Sequence, residues 1–294
     1  LLSDDLCSLL QGKKRTSFVM EFICDNTIHS IQYYHAIINV SCNYVYDSND
    51  LLSDKSYQEL LHVTRGLYSN ILDSHDVVSY WMKYMNIQTA NVLHGKKTGV
   101  FRVATKGDNI NINIENNETK SMLEQWKHIS SSYQLFSEKQ NMYHELLENK
   151  YIHITSPIRR QVDLINQIYF YKHYFEFDIS EENEQFLTEF EDNIDQMNID
   201  MKSIKKIQFE CELLYLCNNN EDLMNKIYDG FVFHELETND NMFQYNVYIK
   251  TLNKMSFFKT EKKLNEDSIY QFKLFLFDKE NSGYKKIRLG LVDS

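Results

Sequence analysis

The sequence predicts an α+β protein in which a mixed helix-and-sheet portion precedes a small β-barrel. Three observations carry this. Residues 16–40 hold two runs rich in β-branched and aromatic residues, separated by the turn-prone Asp25-Asn26-Thr27. From Ser53 onward apolar residues recur at helical spacing. Residues 227–294 contain short β-type runs divided by turn-prone segments such as Asp278 to Gly283.

The elements follow in order. "TSFVMEFICD" and "IHSIQYYHAII" read as two strands joined by the turn. Ser53 can cap a helix whose apolar positions include Leu60, Leu61, Leu67, Tyr68 and Ile71. Asp73 or Ser74 can cap a second, with Val78, Trp81, Met82, Met85 and Val92. "NININIEN" at 109–116 reads as an alternating strand or a polar loop, and helices are expected around 118–130 and 139–149. Pro157, the only proline, suits the first position of a helix capped by Thr155 or Ser156 and continued by Ile158, Val162, Ile165 and Tyr169. A helix near 200–218 carries Ile204, Ile207, Cys211, Leu214 and Leu216. "IYDGFVF", "FQYNVYI", "YQFKLFLF" and "YKKIRLGLV" then give the rhythm of a small OB-type barrel of some five strands. A boundary near 222 divides residues 1–221 from 222–294.

Composition narrows the function classes. A hydrophobic fraction of 43% and an aromatic fraction of 14% support a substantial core. No apolar run approaches the ~18 residues that argue for a membrane span. The five cysteines lack CxxC spacing, which points to reduced thiols serving as small apolar residues in a reducing, cytosolic-type compartment. No histidines stand at H-x3-H or HExxH spacing, so no histidine metal site is expected. The net charge of −11 argues against a polyanionic partner only until its distribution is considered. Ten acids and no Lys or Arg fall between Tyr174 and Asp200. The rest of the chain is close to neutral, so a confined basic groove is compatible with the total.

"ITSPIRRQVDL" (154–164) raises a sharper question, because Arg159 and Arg160 sit side by side at an expected helix start. Exposed cations there oppose the helix dipole by roughly 0.3–1 kcal/mol each. Two arrangements offset this. Carboxylates can pair with the arginines, and Asp163, one turn on, can offset one of them. Alternatively a bound anion offsets both, since free N–H groups and guanidinium forks make a phosphate site. Local physics leaves both open.

The wider stretch "YIHITSPIRRQVDL" resembles the signature of the ribonuclease II / ribonuclease R (RNB) family, approximately Y-x-H-[FW]-T-S-P-I-R-[RK]-Y-x-D-[LM]. Tyr151, His153, Thr155, Ser156, Pro157, Ile158, Arg159, Arg160, Asp163 and Leu164 fall on it. "LCSLLQGKKR" (6–15), "YHAIINVSCNYVY" (34–46), "VVSYWMKYMN" (77–86) and "GVFR" (99–102) resemble family segments in the same order. The barrel stands where that family carries an S1 domain. The resemblance implies the C-terminal part of an RNB domain plus an S1-like domain. It implies hydrolysis of single-stranded RNA from the 3′ end to 5′-nucleoside monophosphates, with Mg²⁺ held by a cluster of aspartates. Arg159 is then the catalytic phosphate contact, with Arg160, Ser156, Thr155, Tyr151, His153 and Arg102 as RNA- or phosphate-binding candidates. His153 is equally readable as a packed, hydrogen-bonded neighbour of the signature. The sequence departs from the pattern at Gln161, where Tyr is usual, at Gln167-Ile168, where His-Arg is common, and at Ser79-Tyr80, in place of paired glutamates. The family's aspartates lie upstream of the segment where this chain begins. The chain is therefore expected to be a piece of a longer enzyme and to hold no metal by itself. The alternative is an inactive RNA-binding relative acting as scaffold or regulator.

Overall fold

The computed structural model describes residues 5–25, 27–104, 131–237, 242–279 and 284–292. The chain divides into two compact units, residues 1–103 with 134–191 and residues 104–133 with 192–294. The elements expected at 109–116 and 118–130 lie outside the described residues.

In the first unit, β1 (Lys14–Cys24) and β2 (Ile28–Asn39) form the expected antiparallel hairpin, with Phe18 opposite His35 and Phe22 opposite Ile31. Three helices follow, α1 (Asn49–Ser53), α2 (Lys55–Leu67) and α3 (Ser74–Gly95). Phe22 stacks on Trp81 of α3 at 4.2 Å between centroids. The Trp81 indole N–H donates to Thr64 Oγ1 of α2 at 2.9 Å. Asp73 caps α3 as expected, accepting from Asp76 N at 2.9 Å. The expected Ser53 cap is corrected: Asp54 caps α2 by accepting from Tyr57 N at 2.8 Å, while the Ser53 hydroxyl donates to Asp50 O within α1. A carboxylate one residue on is the better acceptor for the free N–H groups.

Short strands β3 (Val100–Val103) and β4 (Ser132–Leu135) pair in a two-stranded sheet. The helix expected at 139–149 is replaced by a hairpin of β5 (Tyr143–His144) and β6 (Asn149–Lys150) around a 3₁₀ turn. Glu148 is left-handed there, at φ 52°, which no α-helix accommodates. Two helices complete the unit, α4 (Gln161–His173) and the acidic α5 (Glu181–Asp192). Val162, Ile165, Ile168, Tyr169 and Phe170 of α4 are all buried, so this helix is the unit's central core element. Phe170 meets Phe18 of β1 at 4.9 Å.

Two imidazoles of this unit give it a pH dependence. Burial, and then the Lys150 charge, hold His94 below the usual imidazole range; burial and Lys172 do the same for His173. The unfolded chain therefore takes up these protons first. The stabilisation is fully present above the ordinary value of about 6.5 and is lost as pH falls through it toward the lowered folded values. We expect a lower melting temperature at pH 5.5 than at pH 7.5, and a smaller difference in a His94→Gln/His173→Gln variant. An unchanged difference would exclude these two groups as the cause.

The second unit joins a long helix, α6 (Ile194–Asn219), to β7 (Ile227–Glu237), β8 (Phe243–Ile249), β9 (Lys254–Thr260), β10 (Ser268–Lys279) and β11 (Tyr284–Leu291). The strands run β11-β10-β7-β8-β9, each pair antiparallel. β9 and β11 approach each other, so the sheet curls into a nearly closed five-stranded barrel of OB-like topology. Alternate residues fill it, among them Val232, Tyr245, Val247, Phe258, Phe272, Leu274, Ile287 and Leu289. The Tyr245 hydroxyl bonds the Glu235 carboxylate at 3.1 Å and accepts from Leu264 N at 3.0 Å.

Leu213 and Cys217 of α6 belong to this same core. The apolar face expected on α6 is thereby corrected in part: Leu214 packs against this core, but the positions upstream of it do not. Ile204 and Ile207 are 62% and 58% exposed and Cys211 is exposed, while the side carrying Leu213 and Cys217 is covered. Lys254–Glu212 at 2.6 Å and Lys286–Glu210 at 3.7 Å tie the helix to β9 and β11. The cysteines are all free thiols. Among the described residues, no helix is long and apolar enough to cross a membrane.

Candidate nucleic-acid interface

The segment before the two arginines is held from several sides. Residues 151–154 run extended beside β3, with Phe101 bridging Ile152 and Arg102 N donating to Tyr151 O at 2.8 Å. Buried amide side chains do the rest. Asn86 of α3, 0% exposed, donates to the Tyr151 hydroxyl at 2.9 Å and accepts from Ile154 N at 3.1 Å. Asn166 of α4, also 0% exposed, accepts from Val100 N and donates to the carbonyls of Val100 and His153, each at 2.8–2.9 Å. Gln167 donates to Ile154 O at 3.0 Å. These bonds satisfy backbone groups that burial would otherwise leave unpaired, at roughly 1–3 kcal/mol each. Gly99 makes the approach possible. Its φ is +105°, and an added Cβ would lie 3.0 Å from Leu93 Cδ1.

Beyond Thr155 the chain turns on itself. Ser156 O accepts from Arg159 N at 3.2 Å and Arg160 N at 3.1 Å. Ser156 N donates to Asp163 Oδ1 at 2.6 Å. Arg160 grips the same carboxylate, with Nε 2.9 Å from Oδ2 and Nη2 3.0 Å from Oδ1. Asp163 is 0% exposed. Burial raises its carboxyl above the usual range, opposed by the Arg160 charge and the Ser156 N–H.

The helix therefore begins at Gln161, not at Pro157, and neither Thr155 nor Ser156 caps it; Arg160 occupies the N-cap position without a side-chain cap. The reason is the reach of Asp163. Its carboxylate takes the Ser156 amide and the Arg160 guanidinium at once, which closes 156–160 as a separate turn ahead of α4.

The two arginines thus have different surroundings. Arg160 is locked to Asp163. Arg159 is exposed, and its Nη2 lies 3.5 Å from the Ser156 hydroxyl. Of the other residues singled out in the sequence, Ser156 lies with Arg159 on the turn. Thr155 is half-buried just before it, with a buried hydroxyl that has no hydrogen-bond partner among the described residues. Tyr151 is buried with its hydroxyl engaged, and His153 is half-buried with its ring 5.3 Å from that of Tyr151. Arg102 is 7% exposed on β3. Sequence reading gave no role to Asn86, although it ends the segment 77–86 that resembles the family, and missed Asn166, whose one signal is an amide placed among the apolar positions of a core helix.

A Mg²⁺ centre does not fit what is described here. Among the described residues no group of three or more His, Cys, Asp or Glu side chains converges to hold a metal ion.

No protein-family model and no curated protein sequence matches this chain. Solved structures do. Apo ribonuclease R of Mycoplasma genitalium superposes with a TM-score of 0.64 at 18% identity, covering 99% of this chain and 60% of that one. The chain has a ribonuclease R-like fold. The same ribonuclease R in complex with ribose-methylated single-stranded RNA gives a TM-score of 0.59 at 17% identity, covering 97% of this chain and 56% of that one. Yeast Ssd1, a pseudonuclease, gives 0.51 at 13% identity, covering 92% and 42%. The ribonuclease R-like chain therefore spans about 60% of the length of the ribonuclease R it resembles.

Proposed function

We propose that this chain grips the phosphate backbone of single-stranded RNA at the 156–160 turn, as part of a 3′→5′ exoribonuclease that releases 5′-nucleoside monophosphates. The observation that carries the reading is the contrast between the two arginines. The turn is fixed by one buried carboxylate, the segment before it by amides of two helices, and it offers Arg159 to solvent beside the Ser156 hydroxyl. A guanidinium on a rigid base, with no carboxylate hydrogen-bonded to it among the described residues, is suited to a bidentate phosphate contact. Arg160 adds positive field and holds the turn; its own donors toward Asp163 are taken. In this reading hydrolysis uses Mg²⁺ bound by residues other than those described, the barrel acts as an S1-like RNA contact, and the protein works in a reducing cytoplasmic or nuclear compartment.

A second reading, RNA binding without hydrolysis, is favoured by the likeness to the pseudonuclease Ssd1. Both make Arg159 a phosphate contact. Arg159→Ala should weaken binding of a fluorescent oligo(U) about tenfold and lower the salt-dependence slope by about 1. Unchanged affinity would remove Arg159 from the interface. This chain by itself should leave oligo(U) intact under either reading; product analysis with Mg²⁺ separates them in a protein that also carries the metal ligands, where only the first gives mononucleotides from the 3′ end.

A further inference from the structure

Two surfaces of the chain, neither of them the 156–160 turn, are complementary in charge and chemistry. The first is a groove of about 260 Å³ in the second unit, where α6 runs beside β9 and β11. Its lining includes Lys206 of α6, Phe257 and Lys259 of β9, Phe275 of β10, and Lys286 and Arg288 of β11. Four cations there reverse the sign of a chain whose net charge is −11. Glu210 of α6 also lines it, paired with Lys286 at 3.7 Å. Lys206 and Arg288 are exposed and lie over rings, Lys206 Nζ 5.3 Å from the Phe257 centroid and the Arg288 guanidinium 4.0 Å from that of Phe277. Among the described residues no carboxylate pairs with either. Phe275, opposite Arg288 in the strand register, is 45% exposed.

The second is the loop between α4 and α5 in the first unit. It opens the stretch from Tyr174 to Asp200 that holds ten acids and no Lys or Arg. Its tip is Glu176-Phe177-Asp178, with all three residues exposed. The Phe177 ring is 51% exposed, a large apolar group set between two carboxylates. The tip is braced from behind. Phe177 N donates to Tyr171 O at 3.1 Å, and the Phe177 ring stacks on Phe175 at 5.5 Å between centroids. Glu176 takes a left-handed φ of 57°, which turns the chain sharply ahead of the ring. Its carboxylate meets Lys96 at 3.9 Å yet stays largely exposed.

We propose that the groove of one copy receives the Glu176-Phe177-Asp178 tip of a second copy, with the ring against Phe275 and Phe257 and the carboxylates on Lys206 and Arg288. A cavity of about 150 Å³ takes benzene, so a groove of about 260 Å³ admits one phenyl ring with room for charged groups at its rim. The rings supply the apolar contact, and the opposed charges fix its orientation. One ring and a few exposed ion pairs make a transient contact, with a Kd on the order of 100 µM. The two surfaces differ, so the contact is heterologous. It closes where two copies use it reciprocally and otherwise extends from copy to copy. It needs no nucleic acid and stands whether or not the RNA reading does.

Sedimentation equilibrium of the full chain from about 10 to about 300 µM tests this. The mean mass should rise with concentration in about 50 mM NaCl, and the contact should weaken about tenfold in about 0.5 M, where exposed charges are screened. Phe177→Ala should weaken it by a similar factor, about tenfold. Glu176→Lys/Asp178→Lys and Lys206→Glu/Arg288→Glu should each leave the chain monomeric, because each sets like charges together. An equimolar mixture of the two double variants should associate, since the first keeps the native groove and the second the native tip. That recovery also shows both variants to be folded. A chain that stays monomeric at every concentration in low salt would overturn the proposal, and so would a mixture as monomeric as its components. Association that survives high salt and both double variants would place the contact on an apolar face, such as that of Ile204 and Ile207 on α6, and would overturn it as well.

Discussion

Asp163→Ala is expected to destabilise the first unit by about 3 kcal/mol, the low end for breaking a buried ion pair, because the Arg160 side chain keeps 25% exposure. The carboxylate accepts from two donors, Ser156 N and Arg160 Nη2, and lies 2.9 Å from Arg160 Nε as an ion pair. Removing it strands a guanidinium and an amide and frees the turn. Hydrogen exchange should quicken in residues 151–173, and oligo(U) affinity should fall at least as far as in Arg159→Ala. Arg160→Met/Asp163→Leu provides the control. It removes both charges and should recover more than half of the lost stability, without restoring affinity, since the Ser156 amide still lacks its acceptor. If the double variant is no more stable than Asp163→Ala, the stranded charge is not the cause.

Gly230→Val should have a comparable effect confined to the barrel. A Cβ at Gly230 would lie 2.5 Å from Phe272 Cδ2 and 2.7 Å from Val247 Cγ1. Both neighbours are fully buried core residues, so neither can move aside. Overpacking of this kind costs about 1–3 kcal/mol for one methylene, and valine adds more than one. Exchange protection in β7, β8 and β10 should collapse while α3 and α4 keep theirs. Gly290→Ala, whose Cβ would meet the exposed Phe275 ring at 3.3 Å and Lys273 O at 3.8 Å, should be tolerated.

How far these features could be read in the sequence depends on whether their causes are local. The β1–β2 hairpin and the α3 cap were legible because alternation, a turn tripeptide and one aspartate next to a helical run determine them. The barrel was legible from its rhythm, and its strands close in the OB-like order. The start of α4 was misread because Thr-Ser-Pro is a good helix entry in isolation. What decides otherwise is a carboxylate reaching back seven residues, which no periodicity encodes. The buried side of α6 was misread for a related reason. Ile204 and Ile207 are as apolar as Leu213, and only the barrel beside the helix decides which of them is covered. At the site, the sequence marked the arginine pair and Asp163 but could not divide their labour. Which guanidinium is tethered and which is offered is a matter of side-chain direction around a turn.

The participation of α6 in the barrel has a practical corollary for anyone wishing to study the C-terminal portion alone. A truncation starting at 222 would sever Leu213 and Cys217 from the hydrophobic interior they plug and would break the Lys254–Glu212 and Lys286–Glu210 bridges. The resulting fragment would carry an oily mouth at one end and is expected to self-associate. A cut at 192 keeps the stopper in place, loses the paired hydrogen bonds between Tyr133 and Asn198, and should self-associate less than the cut at 222.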